Sequence, residues 1–233
     1  MKRLVPLSLL LAVLGSALFT APTATKAQSA GLVSAVLNRM ERNRQSLKSL
    51  KASLSMEKYN AQLRDADKYQ GVILYMPSSG RDASVRIDWQ KPQQEILAVS
   101  KGKYVLFKPR LGVAYTGSSN SNKVKNNTGG IMELMYLSRQ QLEARFQPVE
   151  DVREETLWGG VSTIHLTLVP KGGANYKYAE IWVDSAGMPV QTKVVEKNGD
   201  ATTMRLSSVE RNQRMSADEF NLKLDSNVKI IKG

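Results

Sequence analysis

Residues 70–117 read QGVILYMPSSGRDASVRIDWQKPQQEILAVSKGKYVLFKPRLGVAYTG, and they carry the signature of successive short strands. Val72, Leu74 and Met76 alternate with Ile73 and Tyr75. Val85, Ile87 and Trp89 alternate with Arg86 and Asp88. Period two is what a strand requires, because successive side chains point to opposite faces of a sheet. Pro77-Ser78-Ser79-Gly80, Lys91-Pro92 and Lys101-Gly102 mark the turns. Both runs are broadly apolar. With Arg86 and Asp88 in water, Val85, Ile87 and Trp89 face inward. Val72, Leu74 and Met76 are assigned to the same inner face. The stretch builds a strongly curved antiparallel sheet with one apolar face, and something must cover it.

Upstream the period changes. Leu32, Val33, Val36, Leu37, Met40, Leu47 and Leu50 recur at helical spacing, with Arg39, Glu41, Arg42, Arg44 and Lys48 on the other side. This predicts an amphipathic helix docked on the sheet over 32–50. A helix lying on a membrane surface is the sharper alternative, which polar Asn43 in the stripe disfavours. Lys51 to Tyr59 reads as the first strand. After Gly117 the polar run 118–128 lacks periodicity and reads as a loop. Ile131, Met132, Leu134, Met135, Leu137, Leu142 and Phe146 predict a second helix within 129–146. Met132 and Met135 either fill core or offer an adaptable surface to a ligand. Further on, VREETLW and VSTIHLTLVPK flank Gly159-Gly160 as a hairpin. Three more strands follow within 178–209, then a short segment ending at Phe220 and an edge strand near 228–231. Ile181 and Val183 are candidates for the inner face, although Trp182 competes for it.

The chain has 233 residues, no cysteine and one histidine. That excludes disulfides, cysteine–zinc sites and thiol nucleophiles. Lys2 and Arg3, an apolar run from Leu4 to Phe19, and the small-residue stretch ending Thr25-Lys26-Ala27 form the three-part pattern of a secretory leader over 1–27. The run is shorter than the ~20 residues a bilayer span needs. The mature domain is therefore expected to be 28–233, exported, and starting near Gln28. Removing Lys2, Arg3 and Lys26 takes the formal charge from +12 to +9. Anionic surfaces suit such a chain, and export sets nucleic acid aside. His165 shares its strand face with Thr163 and Thr167 and reads as structural, so alanine there is expected to change folding little. Glu154 and Glu155 are adjacent on a strand and point apart, so they cannot grip one bond. No Walker loop, dinucleotide fingerprint or calcium loop is present. The chain is expected to have no catalytic residues, metal or cofactor.

Taken in order, the helix, QGVILYMP, VRIDWQKP, ILAVSKGK, LTLVPK, AEIWVDSAGMPVQTKVVEKNGD and MSADEFNLKLDSNVKII resemble the periplasmic outer-membrane lipoprotein carrier family, LolA. The resemblance covers essentially the whole of 28–233. It implies an incomplete antiparallel β-barrel under an α-helical lid, an α+β fold that is mainly β. It also implies a periplasmic monomer whose cavity shelters acyl chains of lipoproteins, or related lipids, between an inner-membrane donor complex and an outer-membrane acceptor. The cavity residues expected on this reading are Val36, Met40, Val72, Leu74, Met76, Val85, Ile87, Trp89, Met132, Met135, Ile181 and Val183. The best-known members carry an arginine directly before a proline, tying barrel to lid. The matching position here is Met76, before Pro77. Relatives of this fold also act as envelope sensors, so a protein-interaction module is the alternative.

Overall fold

The computed structural model describes residues 24–77, 83–120, 137–149 and 151–232. The two methionines Met132 and Met135, the 121–136 stretch and most of the expected leader lie outside the described residues. Helix α1, Ala24–Ser46, comes first, and its opening turn contains the last four positions of that leader. Strands β1 (Leu50–Asn60), β2 (Asp65–Met76), β3 (Ser84–Lys91), β4 (Glu95–Ser100), β5 (Lys103–Lys108) and β6 (Val113–Ser118) follow. The short helix α2, Arg139–Arg145, precedes β7 (Val152–Leu157), β8 (Val161–Leu168), β9 (Tyr176–Asp184), β10 (Pro189–Glu196) and β11 (Ala201–Arg211). A 3₁₀ turn, Ala217–Phe220, leads to the edge strand β12, Lys229–Lys232.

Among the described residues twelve strands form one sheet, in the order β12-β6-β5-β4-β3-β2-β1-β11-β10-β9-β8-β7. Every pairing is antiparallel except β12 with β6. The order ends on two different strands, so the sheet is curved but unclosed. The strands expected from the 70–117 stretch are all present. Local chemistry explains the turns. Gly159 and Gly160 both adopt positive φ, 86° and 78°, which their lack of Cβ allows.

Helix α1 ends earlier than the periodicity predicts. Leu50, expected on the helical stripe, is the first residue of β1 and fully buried. Asn212 supplies the stop. Its Oδ1 accepts from the Lys48 N–H at 2.7 Å, and its Nδ2 donates to the Ser46 carbonyl at 3.3 Å. A side chain remote in sequence thus satisfies groups that a helix end leaves orphaned. The sheet's inner face is the one α1 packs on. Val36, Leu37 and Met40 join Leu166, Leu168, Ala179, Ile181 and Val183 in one cluster, together with Leu137, Leu142 and Phe146. Leu47 continues it into a second cluster with Leu54, Met56, Ile73, Ile87, Met204 and Leu206.

Candidate lipid-binding face

The face assignment follows from register. Ile73 pairs with Ile87, Tyr75 with Val85 and Gly71 with Trp89. Directly paired residues share a face. Ile87 and Trp89 are buried inward, so Ile73 and Tyr75 are inward too. Val72, Leu74 and Met76 pair with Asp88, Arg86 and Ser84 and stand on the outer face, which corrects the inward assignment made from alternation. The physical reason is that β2 is apolar on both faces, so its own pattern cannot choose between them. The outer side of β3 carries a salt bridge, with Arg86 Nε donating to Asp88 Oδ1 at 2.8 Å. Arg86 also donates to the Glu219 carbonyl at 2.9 Å, and the 3₁₀ turn around buried Phe220 packs over β3 and β4. Val72 and Leu74, on the same outer side, are half-buried. Met76, the counterpart of the family's arginine, does not face the lid; Tyr75 does.

Of the other expected cavity residues, Val36, Met40, Val85, Ile87, Trp89, Ile181 and Val183 stand between helix and sheet or on the inner face. Trp182 is outward. It pairs with His165, their rings 4.6 Å apart. His165 is fully buried there, its Nε2 lying 3.2 Å from Glu180 Oε1. The inner face also contains residues the sequence reading omitted: Leu54, Met56, Ile73, Tyr75, Leu166, Met204 and Leu206. The strict alternation of Leu54 and Met56, and of Met204 and Leu206, was the available signal. Beyond β3 the face continues through Leu97, Tyr104 and Leu106.

The lid is held at three places. Gly187 lies under α1, and a Cβ there would sit within 3.0 Å of the Arg39 carbonyl and the Met40 nitrogen. Asp184 braces that turn by accepting from the Ala186 and Met188 N–H groups, and pairs with Arg211 at 2.5 Å. The second attachment joins the two helices. Glu41 accepts from Arg44 at 2.6 Å, from Gln45 at 2.8 Å and from the backbone N–H of Arg139 at 3.2 Å. Arg139 in turn donates to Asn38 at 2.5 Å. The bond from Arg44 is the largest cause that holds the Glu41 carboxyl down at about 2, against a smaller desolvation effect. The third is the Asn212 cap at the end of α1.

Where α1 crosses β2, a cleft is lined by Met40, Asn43, Arg44, Leu47, Tyr75, Leu137 and Pro189. Its volume of about 10 Å³ holds roughly one water molecule. Burial pushes the Tyr75 phenol up to about 12, with Arg44 opposing. The phenol is thus neutral at physiological pH. At the other end of the inner face, Tyr69 meets Trp89 edge-on at 5.8 Å, and the Lys58 ammonium lies 5.4 Å from the Tyr69 ring centre. Among the described residues no group of three His, Asp or Glu side chains could hold a metal ion. No described helix is long and apolar enough to cross a membrane.

Comparison with known proteins agrees with this architecture. No curated protein matches the sequence significantly. The crystal structure of MucB superposes with a TM-score of 0.56 at 13% identity, covering 86% of this chain and 66% of that one. The MucA/MucB complex of Pseudomonas aeruginosa gives 0.52 at 12%, covering 85% and 62%. An uncharacterized conserved protein from Thermus thermophilus gives 0.52 at 11%, covering 87% and 99%. The chain therefore spans less than two thirds of the MucB chains it matches, and at these identities the likeness is one of fold. The family described as outer membrane lipoprotein carrier protein LolA matches residues 45–223, from the end of the lid helix to beyond the 3₁₀ turn. With most of the chain matched and the helix-covered, unclosed sheet in place, the protein belongs to the LolA family.

Proposed function

We propose that the protein is a periplasmic carrier, exported with loss of its leader, that shelters the acyl chains of lipoproteins or related lipids beneath α1. One observation carries this reading. Helix α1 packs on one part of an inner face that continues apolar from β8 across to β5. Transfer of an acyl chain from water to such a face gains about 0.8 kcal/mol per methylene, so carriage needs no chemistry. The narrow cleft is the closed state on this reading, and α1 swings away to admit cargo. An inner-membrane donor complex and an outer-membrane acceptor are the partners proposed, with the carrier itself a monomer.

Native mass spectrometry of the protein purified from the cell envelope tests the proposal. Adducts with the mass of a lipid or lipopeptide, released by detergent, are expected. Protein that is uniformly free of adducts, and that takes up no fluorescent fatty-acyl probe, would overturn it. A second reading is favoured by the fold likeness to MucB, which has been crystallised in complex with MucA. On that reading the protein is an envelope sensor or interaction module, and co-purification of a protein in place of lipid would identify it.

A further inference from the structure

The strand registers gather the starts of β1, β3, β5, β8 and β10 at one end of the sheet, with the ends of β2, β4, β6, β7, β9 and β11. The parallel strand β12 finishes there too. Among the described residues this end carries exposed Lys48, Lys51, Lys101, Lys103, Arg214 and Lys232. Asp184 is bound by Arg211, and Glu210 stands opposite Lys51 in the ladder. The far end instead mixes Asp65, Asp67, Glu95, Asp151, Glu196 and Asp200 among its cations. The far end also exposes Arg64, Lys68, Lys91, Arg110, Lys171, Lys177, Lys197 and Lys229, so cations stand at both ends of the sheet.

The β7–β8 hairpin tip lies at the same end. Trp158 there is 89% exposed, whereas Trp89 and Trp182 are 4% and 5% exposed. The exposure is built into the turn. Gly159 and Gly160 supply the positive-φ positions, the Gly160 N–H bonds to the Leu157 carbonyl at 3.0 Å, and Arg205 donates to the Trp158 carbonyl. The backbone is fixed and the indole projects, with half-exposed Val161 beside it.

We propose that this end is a docking surface for an anionic lipid bilayer, with Trp158 as its interfacial anchor. An indole has an apolar body and one N–H donor, the chemistry that settles at the headgroup level of a bilayer. Lysines near an anionic leaflet each add about fivefold to affinity. Protein interfaces, by contrast, are depleted in lysine at their cores. The surface is separate from the inner face, so it neither requires nor implies acyl-chain binding.

The test uses tryptophan emission of the whole protein with two kinds of vesicle, phosphatidylcholine alone and phosphatidylcholine mixed equally with phosphatidylglycerol. Since Trp89 and Trp182 are buried, a blue shift on vesicle addition reports Trp158. We expect the shift, and quenching by brominated acyl chains, with the phosphatidylglycerol vesicles only, both reversed by high salt. Trp158→Ala removes the shift and weakens co-sedimentation roughly tenfold, and the Lys101→Glu/Lys103→Glu pair removes the shift and weakens co-sedimentation about 25-fold with Trp158 intact. Circular dichroism confirms that both variants remain folded. Unshifted emission, equal binding by Trp158→Ala, or equal affinity for neutral vesicles would each overturn the proposal. So would lipid-free capture of an envelope protein that depends on Trp158, which would make the surface a protein interface.

Discussion

At the residue scale, Ile87 and Leu74 illustrate how pairing decides a side chain's environment. Both are strand residues in neighbouring apolar runs. Ile87 is fully buried against the inner cluster, and Leu74 stands opposite Arg86 on the outer face. Ile87→Ala should therefore cost about 3 kcal/mol through lost burial and a residual cavity, and Leu74→Ala about 1 kcal/mol or less. Urea unfolding curves of the two variants check the order; equal costs would contradict the register. His165 makes the same point for a polar residue. Its type and its threonine neighbours suggested a structural residue that alanine could replace with little effect on folding, but it is fully buried against Trp182 and Glu180, with Lys193 2.9 Å from the same carboxylate. His165→Ala is now expected to lower stability by about 2 kcal/mol, with acyl-probe binding per folded molecule unchanged because the side chain points away from the inner face. A stable variant that has lost probe binding would show that this face takes part in function.

At the element scale the lid helix is the informative unit. Its apolar stripe docks on β8 and β9, and two further devices, one steric and one polar, set its position. Gly187, at φ 85°, allows the helix backbone to approach the β9–β10 turn. Gly187→Ala adds a Cβ against the Arg39 carbonyl in a conformation alanine disfavours. We expect amide exchange over 32–46 to accelerate about tenfold or more, while β1 and β11 keep their protection. Slow exchange throughout would mean that the contact does not hold the lid. Glu41 is the second device, linking α1 to the start of α2. Bonded chiefly by Arg44 on its own helix and less by the Arg139 N–H, its carboxyl titrates lower in the folded chain than in the unfolded one. The stability it contributes is complete above the ordinary value of 4.5 and is lost as pH falls toward about 2. Wild type and Glu41→Gln should accordingly differ most near neutral pH and converge in acid. Thermal melts across that range measure it, and a pH-independent gap would assign Glu41 a purely steric role.

At the scale of the whole molecule, an unclosed sheet closed off by a helix has an interior whose size depends on where the helix sits. Cargo that binds the folded state alone stabilises it by mass action, about 2.7 kcal/mol at a hundredfold excess over Kd. For a domain of this size that raises the melting midpoint by roughly 5–10 °C. Differential scanning fluorimetry with a palmitoyl probe should show the rise in wild type and lose it in Ile87→Asp, whose buried carboxylate has no partner. The sequence by itself determined the strand content, the turn positions, the amphipathic lid, the lack of cysteine chemistry and the family resemblance. Each of these is written in local periodicity and composition, which neighbouring residues fix among themselves. It also placed Val85, Ile87 and Trp89 correctly, because Arg86 and Asp88 leave their strand one possible inner face. Only the tertiary structure decided that Ile73 and Tyr75, not Leu74 and Met76, face the lid. A strand apolar on both sides has no preferred face until its register with a neighbour is set. Long-range contacts likewise ended α1 at Ser46, through Asn212, and buried His165 under the far side of the sheet. Partners 166 residues apart leave no periodic trace, because what joins them is the path of the folded chain.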